Sequence, residues 1–182
     1  MALDVDRVPV TGVWYRHLPH QGSVWWRSEP PPDGRWQRGS EIGGFYLADS
    51  RETVWAEWHR QLDELALRAA DQLPRDLWRF EVKLSEIADL RSKAQLSRVD
   101  LPLPRPSRRE WPAFQEVGEQ LHAEGWKGLW APSAARLENG EVLCLFREGK
   151  KVEGVKAIPP PAIHRKPPKR PSAPDLGLDD PG

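Results

Sequence analysis

The chain has 182 residues, enough for one domain with a full hydrophobic core. Its 27 basic and 27 acidic residues cancel, which argues against a general electrostatic attraction to nucleic acid or to an anionic membrane surface. A single cysteine, Cys144, precludes an internal disulfide, and no apolar run approaches the roughly 20 residues of a membrane span. The opening MALDVDRVPVTG lacks the hydrophobic stretch of a signal peptide, so a soluble, cytoplasmic protein is expected.

Residues 1–11 read as a polar lead. GVWYRH at 12–17 mixes β-branched and aromatic residues and predicts a strand. Residues 18–43, rich in proline and glycine, predict a loop so long that it is more often functional than idle. FYLA at 45–48 predicts a second strand. A helix follows, started by Asp49 or Ser50 with Glu52 in its first turn, and Val54, Trp58, Leu62, Leu65 and Ala69 form its apolar stripe at spacings of three and four. LWRFEVKL at 77–84 alternates, with Trp78, Phe80, Val82 and Leu84 on one side and Arg79, Glu81 and Lys83 on the other, as in a half-buried strand. After a charged, proline-interrupted stretch at 91–109, residues 110–124 predict a second helix with Trp111, Phe114, Val117, Gly118 and Leu121 on one face and a stop at Gly125. GLWA (128–131) and EVLCLF (141–146) predict short strands with an Asn139-Gly140 turn signal between them, and VKAI (155–158) predicts an edge strand. From Pro159 the prolines and the basic Arg165, Lys166, Lys169 and Arg170 predict a disordered tail over 159–182. The order of elements implies an α+β domain over 12–158, a split, mostly antiparallel sheet with two main helices.

Several residues along this path suit chemistry. On a helical wheel with Val54 at zero, the apolar stripe centres at about 60° and Glu57 falls at about −60°. A carboxylate at that border can face a cleft while the helix stays docked, and Trp55 and Trp58 surround it with apolar bulk. Arg35 stands in a Gly-Arg-Trp loop, where its planar fork matches a phosphate, or else a surface carboxylate. Arg16 sits in a strand between Tyr15 and His17 and needs an anion or a carboxylate partner. Tyr46 offers a ring for stacking a flat heterocycle, or else a core aromatic. Ser133 follows a strand in a loop with no GxSxG around it, so a hydrolase nucleophile is not expected. His17, His20, His59, His122 and His164 show no metal-ligand spacing, no P-loop or GxGxxG appears, and Cys144 lies in an apolar strand; no metal or bound cofactor is expected.

Taken together, YRH at 15–17, GRW at 34–36, FYLADS at 45–50, ETVWAEW at 52–58 and PSA at 132–134 followed by VLCLF resemble the RES-domain family, named for an arginine, a glutamate and a serine. The run covers residues 12 to 146 in order. It departs from the family's pattern at Trp55, where a small residue is usual, and the basic tail is not part of the domain. The resemblance implies a fold similar to that of ADP-ribosyltransferase toxins. It implies degradation of NAD⁺ as substrate by a glycohydrolase or phosphorylase, with inorganic phosphate as co-substrate in the second case. It also implies the toxin role of a type II toxin–antitoxin pair, with a helix-turn-helix (Xre-type) antitoxin as partner. By motif, Arg16 and Arg35 would bind the pyrophosphate or ribose-phosphate end of NAD⁺ and Tyr46 would stack on the nicotinamide, with Trp36 as a further apolar wall. Glu57 would be the catalytic carboxylate, and Ser133 would bond the nicotinamide ribose or fix Glu57.

Two other functions fit the same residues. One is a transferase that places ADP-ribose on a protein. The other is a non-catalytic module that binds a partner through its tryptophans, or an acidic protein or nucleic acid through the tail, where Lys150, Lys151, Lys156, Arg165, Lys166, Lys169 and Arg170 face Glu153 alone. The domain itself is expected to bind neither nucleic acid nor membrane.

Overall fold

The computed structural model describes residues 1–170. Six strands and three α-helices follow in the order β1 (Asp6–Pro19), β2 (Gly43–Ala48), α1 (Arg51–Glu64), β3 (Arg75–Asp89), α2 (Lys93–Ser97), α3 (Trp111–Ala123), β4 (Gly128–Pro132), β5 (Glu141–Arg147) and β6 (Val155–His164). The strands lie in one sheet in the order β1-β2-β5-β4-β3-β6, and β1 also pairs with β3, so the first five close on themselves. Every pairing is antiparallel except β3 with β4. The closure is thin at one point: β1 and β2 pair only at Tyr15 and Ala48. A mixed helix-and-sheet domain with a mostly antiparallel sheet was expected. The sheet is one connected ring with this narrow seam instead of two separate pieces.

Alternation along the strands divides the apolar side chains. Trp14, Phe45, Phe80, Val82, Leu143 and Leu145 form a core made from strands alone. Val54, Trp55, Trp58 and Leu62 of α1 pack on Ala48 and Leu77. Phe114, Val117 and Leu121 of α3 pack on Leu129, Ala131 and Cys144. The helix α1 ends at Glu64, before the predicted stripe does, and Leu65 is left 46% exposed. Gly125 takes φ +87° immediately past α3, a left-handed conformation that glycine adopts without steric cost.

Both ends of the domain extend further than the sequence predicts. β1 begins at Asp6 within the supposed lead, because β3 runs on to Asp89 and pairs with it. β6 continues through Pro159–Pro161 to His164, where the sequence predicts disorder from 159. The strand pairs with β3 up to Ile158, shifts register across the prolines, which have no N–H to offer, and resumes from Ala162 to His164. Beyond it the chain stays on α1: the ring Nε2 of His59 bonds the carbonyl of Pro168 at 3.0 Å, and Arg170 pairs with Asp63 at 2.6 Å. The remaining predicted tail, 171–182, lies outside the described residues.

Candidate functional site

α1 starts abruptly after β2 because Ser50, in extended conformation, accepts a hydrogen bond from the Thr53 N–H at 3.1 Å. Glu57 therefore stands in the second turn, close to the sheet. Its Oε1 accepts a hydrogen bond from the Ser133 hydroxyl at 2.6 Å, and its Oε2 accepts from Arg60 Nε at 2.9 Å. Ser133 is fully buried, and its oxygen also accepts from the backbone N–H groups of Ala135 and Arg136 at 3.2 and 3.1 Å. That turn after β4 is tied to α1 a second time, by Arg136 Nη1 donating to Thr53 Oγ1 at 3.1 Å. The Ser133 hydroxyl is spent on Glu57 and does not reach solvent.

Arg35 is 8% exposed, with its guanidinium 5.2 Å above the Phe114 ring. Nη2 donates to the Arg105 carbonyl at 2.5 Å, while Nη1 is buried without a partner. Burial first, and then Arg60, push the Arg35 guanidinium below its ordinary value, against the opposing pull of Glu57, Glu110 and Glu64. Arg35 and Glu57 thus lie within electrostatic reach of each other. The loop that carries Arg35 is held close to α3, where a Cβ on Gly118 would stand 1.8 Å from the Trp36 carbonyl oxygen. Gln115 of the same helix donates to the Gly34 carbonyl at 2.9 Å.

Trp36 departs from its expected place. Its side chain is 1% exposed and meets the Phe114 ring edge to face at 5.0 Å. It is a core residue and offers no wall to a ligand; in a glycine-rich loop the sequence gives no sign of the direction in which such a ring turns. Tyr46 is half-buried. Its hydroxyl donates to Gln37 Oε1 at 2.5 Å and accepts from the Trp36 N–H at 3.1 Å. Burial holds the phenol well above its ordinary value, so it stays neutral. A Cβ on Gly34 would stand 2.3 Å from the Tyr46 oxygen, and one on Gly44 would stand 2.8 Å from its ring. The glycines of this segment thus make room for Tyr46.

Arg16 lies beside the seam between β1 and β2. Its guanidinium sits 4.5 Å over the Phe45 ring, and Nη1 donates to the Tyr46 carbonyl at 3.1 Å. Burial, then Arg147 and Arg75, lower it to about 10, and its Nε is buried without a partner. It is a buried cation with two further cations, Arg147 and Arg75, near it. The neighbouring His17 stacks on Trp55 at 5.6 Å and accepts from Arg75 at 2.7 Å.

Arg16, Tyr46, Arg35, Glu57 and Ser133 are thus linked in series: Arg16 to the Tyr46 backbone, Tyr46 to the 34–37 loop, Arg35 to Glu57 through space, and Glu57 to Ser133. Sequence reasoning missed Arg60, Gln37 and Arg136. Arg60 was within reach as an i+3 partner of Glu57; Gln37 and Arg136 act across distances in the chain that no local pattern encodes. Among the described residues, no group of three His, Cys, Asp or Glu could hold a metal ion, and no helix is long and apolar enough to cross a membrane.

A family model described as the RES domain matches residues 9–166. Among solved structures, a chain of the M. tuberculosis MbcT–MbcA toxin–antitoxin complex is similar in fold. It shares 18% identity over 84% of this chain and 86% of that one, with a TM-score of 0.62. No curated protein matches the chain.

Proposed function

The chain belongs to the RES-domain family, and on that premise we propose that it degrades NAD⁺ by cleaving the nicotinamide–ribose bond beside Glu57. The observation that carries this reading is the pairing of a clamped carboxylate with an arginine N–H that has no partner: Glu57 held by Ser133 at 2.6 Å, and Arg35 with a free buried Nη1 within electrostatic reach. Departure of nicotinamide leaves an oxocarbenium-like centre on the ribose. A fixed carboxylate stabilises that charge or holds a ribose hydroxyl. Arg35 and Arg16, each with an unpartnered buried N–H, bind the pyrophosphate. Tyr46, neutral and held by Gln37, gives the nicotinamide its flat wall. Attack by water on the ribose carbon gives ADP-ribose, nicotinamide and a proton; attack by phosphate gives ADP-ribose esterified with phosphate at that carbon, and nicotinamide.

The same premise makes the protein the toxin of a toxin–antitoxin pair with an ADP-ribosyltransferase-like fold. It would draw on cytoplasmic NAD⁺ and be neutralised by an antitoxin of helix-turn-helix type. The similarity in fold to a chain of a toxin–antitoxin complex supports this. The test is nicotinamide release from NAD⁺, with and without phosphate, by the wild type and by Glu57→Gln. Release that is lost in the variant is expected, and dependence on phosphate selects phosphorolysis. No release from folded wild-type protein in either buffer would overturn the reading.

A further inference from the structure

Two ion pairs of this chain share the spacing i, i+3 and differ in everything else. Arg68 and Asp71 are 83% and 53% exposed, an ordinary solvated pair. Arg60 and Glu57 are 19% and 24% exposed, in a setting where electrostatic interactions are screened less. Arg60 is also doubly engaged. Its Nε donates to Glu57, and its Nη1 bonds Glu64, which in turn accepts from Arg108 Nε at 3.3 Å. Burial pulls the Arg60 guanidinium down, but Glu57 and then Glu64 outweigh it, and the group stands above its ordinary value.

Arg35 and Arg60 lie near each other but differ in what they have left to offer. Arg35 keeps a buried N–H with no partner among the described residues; Arg60 commits its Nε and Nη1 to two carboxylates and leaves no buried nitrogen unpartnered. Ser133 holds Glu57 by one oxygen and Arg60 holds it by the other. A carboxylate bonded at both oxygens has its plane fixed; Oε1 also takes a longer contact from the Ala135 N–H at 3.4 Å, while Oε2, held by Arg60, keeps a further lone-pair direction to present. We propose that Arg60, backed by Glu64, is a positioning residue that sets the direction in which Glu57 faces the substrate and makes no contact with substrate itself. The proposal rests on Glu57 as the working carboxylate.

The test combines turnover with structure. In an active wild type, Arg60→Gln is expected to lower kcat about 10- to 100-fold, the scale of a misplaced reacting group, with KM for NAD⁺ within about threefold. Arg60→Lys, which keeps the charge without the fork, is expected to recover part of that loss and serves in place of Arg60→Gln if the latter does not fold. In the Glu57→Gln background, adding Arg60→Gln is expected to leave NAD⁺ affinity unchanged, since the two residues act as a unit. Raised KM with intact kcat, or weakened NAD⁺ binding in the double variant, would mean direct contact and overturn the proposal. A crystal structure of Arg60→Gln, or of Arg60→Lys in its place, reads the same point without turnover. Glu57 is expected to leave its position on Ser133 or to split between rotamers, and an unmoved Glu57 overturns the proposal even where the wild type releases no nicotinamide.

Discussion

The hydroxyl of Ser133 and the carboxylate of Glu57 meet at 2.6 Å although 76 positions separate them. One comes from the end of β4 and the other from the second turn of α1, so this hydrogen bond joins the two halves of the candidate site. Ser133→Ala is expected to loosen Glu57 on its Oε1 side and to strip the Arg136 N–H of its acceptor, leaving the Ala135 N–H only its 3.4 Å contact with Glu57. Leaving a buried donor unpaired costs about 1–3 kcal/mol of stability. A thermal melt should show that loss, and nicotinamide release should fall well beyond what the melt accounts for. Unchanged turnover would remove Ser133 from the mechanism.

Arg35 is expected to act in binding. Its Nη1 has no protein partner, and a charged hydrogen bond to phosphate is the interaction it lacks. Arg35→Ala should weaken NAD⁺ binding by about 10- to 100-fold, in line with the worth of a charge-assisted bond. Calorimetric titration of NAD⁺ into Glu57→Gln, with and without Arg35→Ala, isolates that effect from turnover. Equal affinities would assign Arg35 to holding the 105 loop alone.

The C-terminal segment is expected to matter for stability, contrary to its appearance as a dispensable tail. A chain ending at Ile158 loses the pairs of Arg75, Asp76 and Leu77 with β6, together with the His59 and Asp63 contacts on α1. Its melting temperature should fall by several degrees relative to a chain ending at Arg170, which keeps all of them. Removal of 159–182 therefore cannot separate an enzymatic role from a tail-binding role. If both truncations melt together, the strand contributes nothing.

His17 makes stability depend on pH. Burial, followed by Arg75 and Arg16, holds its pKa well below the ordinary 6.5, and His164 is lowered in the same direction. The folded chain keeps His17 neutral where the unfolded chain would bind a proton. Stability is therefore complete above the unfolded value and drains as pH falls beneath it, with a slope of at most about 1.4 kcal/mol per pH unit from one such group. Melts between pH 7.5 and 5.5 should show the decline. His17→Gln, which can still accept from Arg75, should flatten it; an equal slope would place the titration elsewhere.

Elements whose buried faces follow a clear period were legible in the sequence. The alternation of 77–84 and the stripe of α3 appear in the structure much as read, apart from Trp111, which is only partly buried, and the wheel position of Glu57 at the edge of the α1 stripe agrees with its partial exposure. What failed to show was set by partners far along the chain. The first half of β1 is largely exposed and looks like a lead until β3 is laid beside it. The prolines of β6 look like an end because a ladder interrupted by residues without N–H leaves no local trace of its resumption. Trp36 shows the same limit at the site: its loop could turn the ring toward a ligand or into the core, and only the Phe114 side chain on α3 decides.

The prolines of β6 have an effect beyond the register shift they cause. A terminal strand with a free edge is a template on which another chain can add a strand of its own. At residues 159–161 that template offers no donors, since three consecutive positions have no hydrogen to give and only their carbonyls remain. Along those three positions the resistance of the edge to a further strand comes from the covalent structure of the backbone, which neither salt nor pH alters.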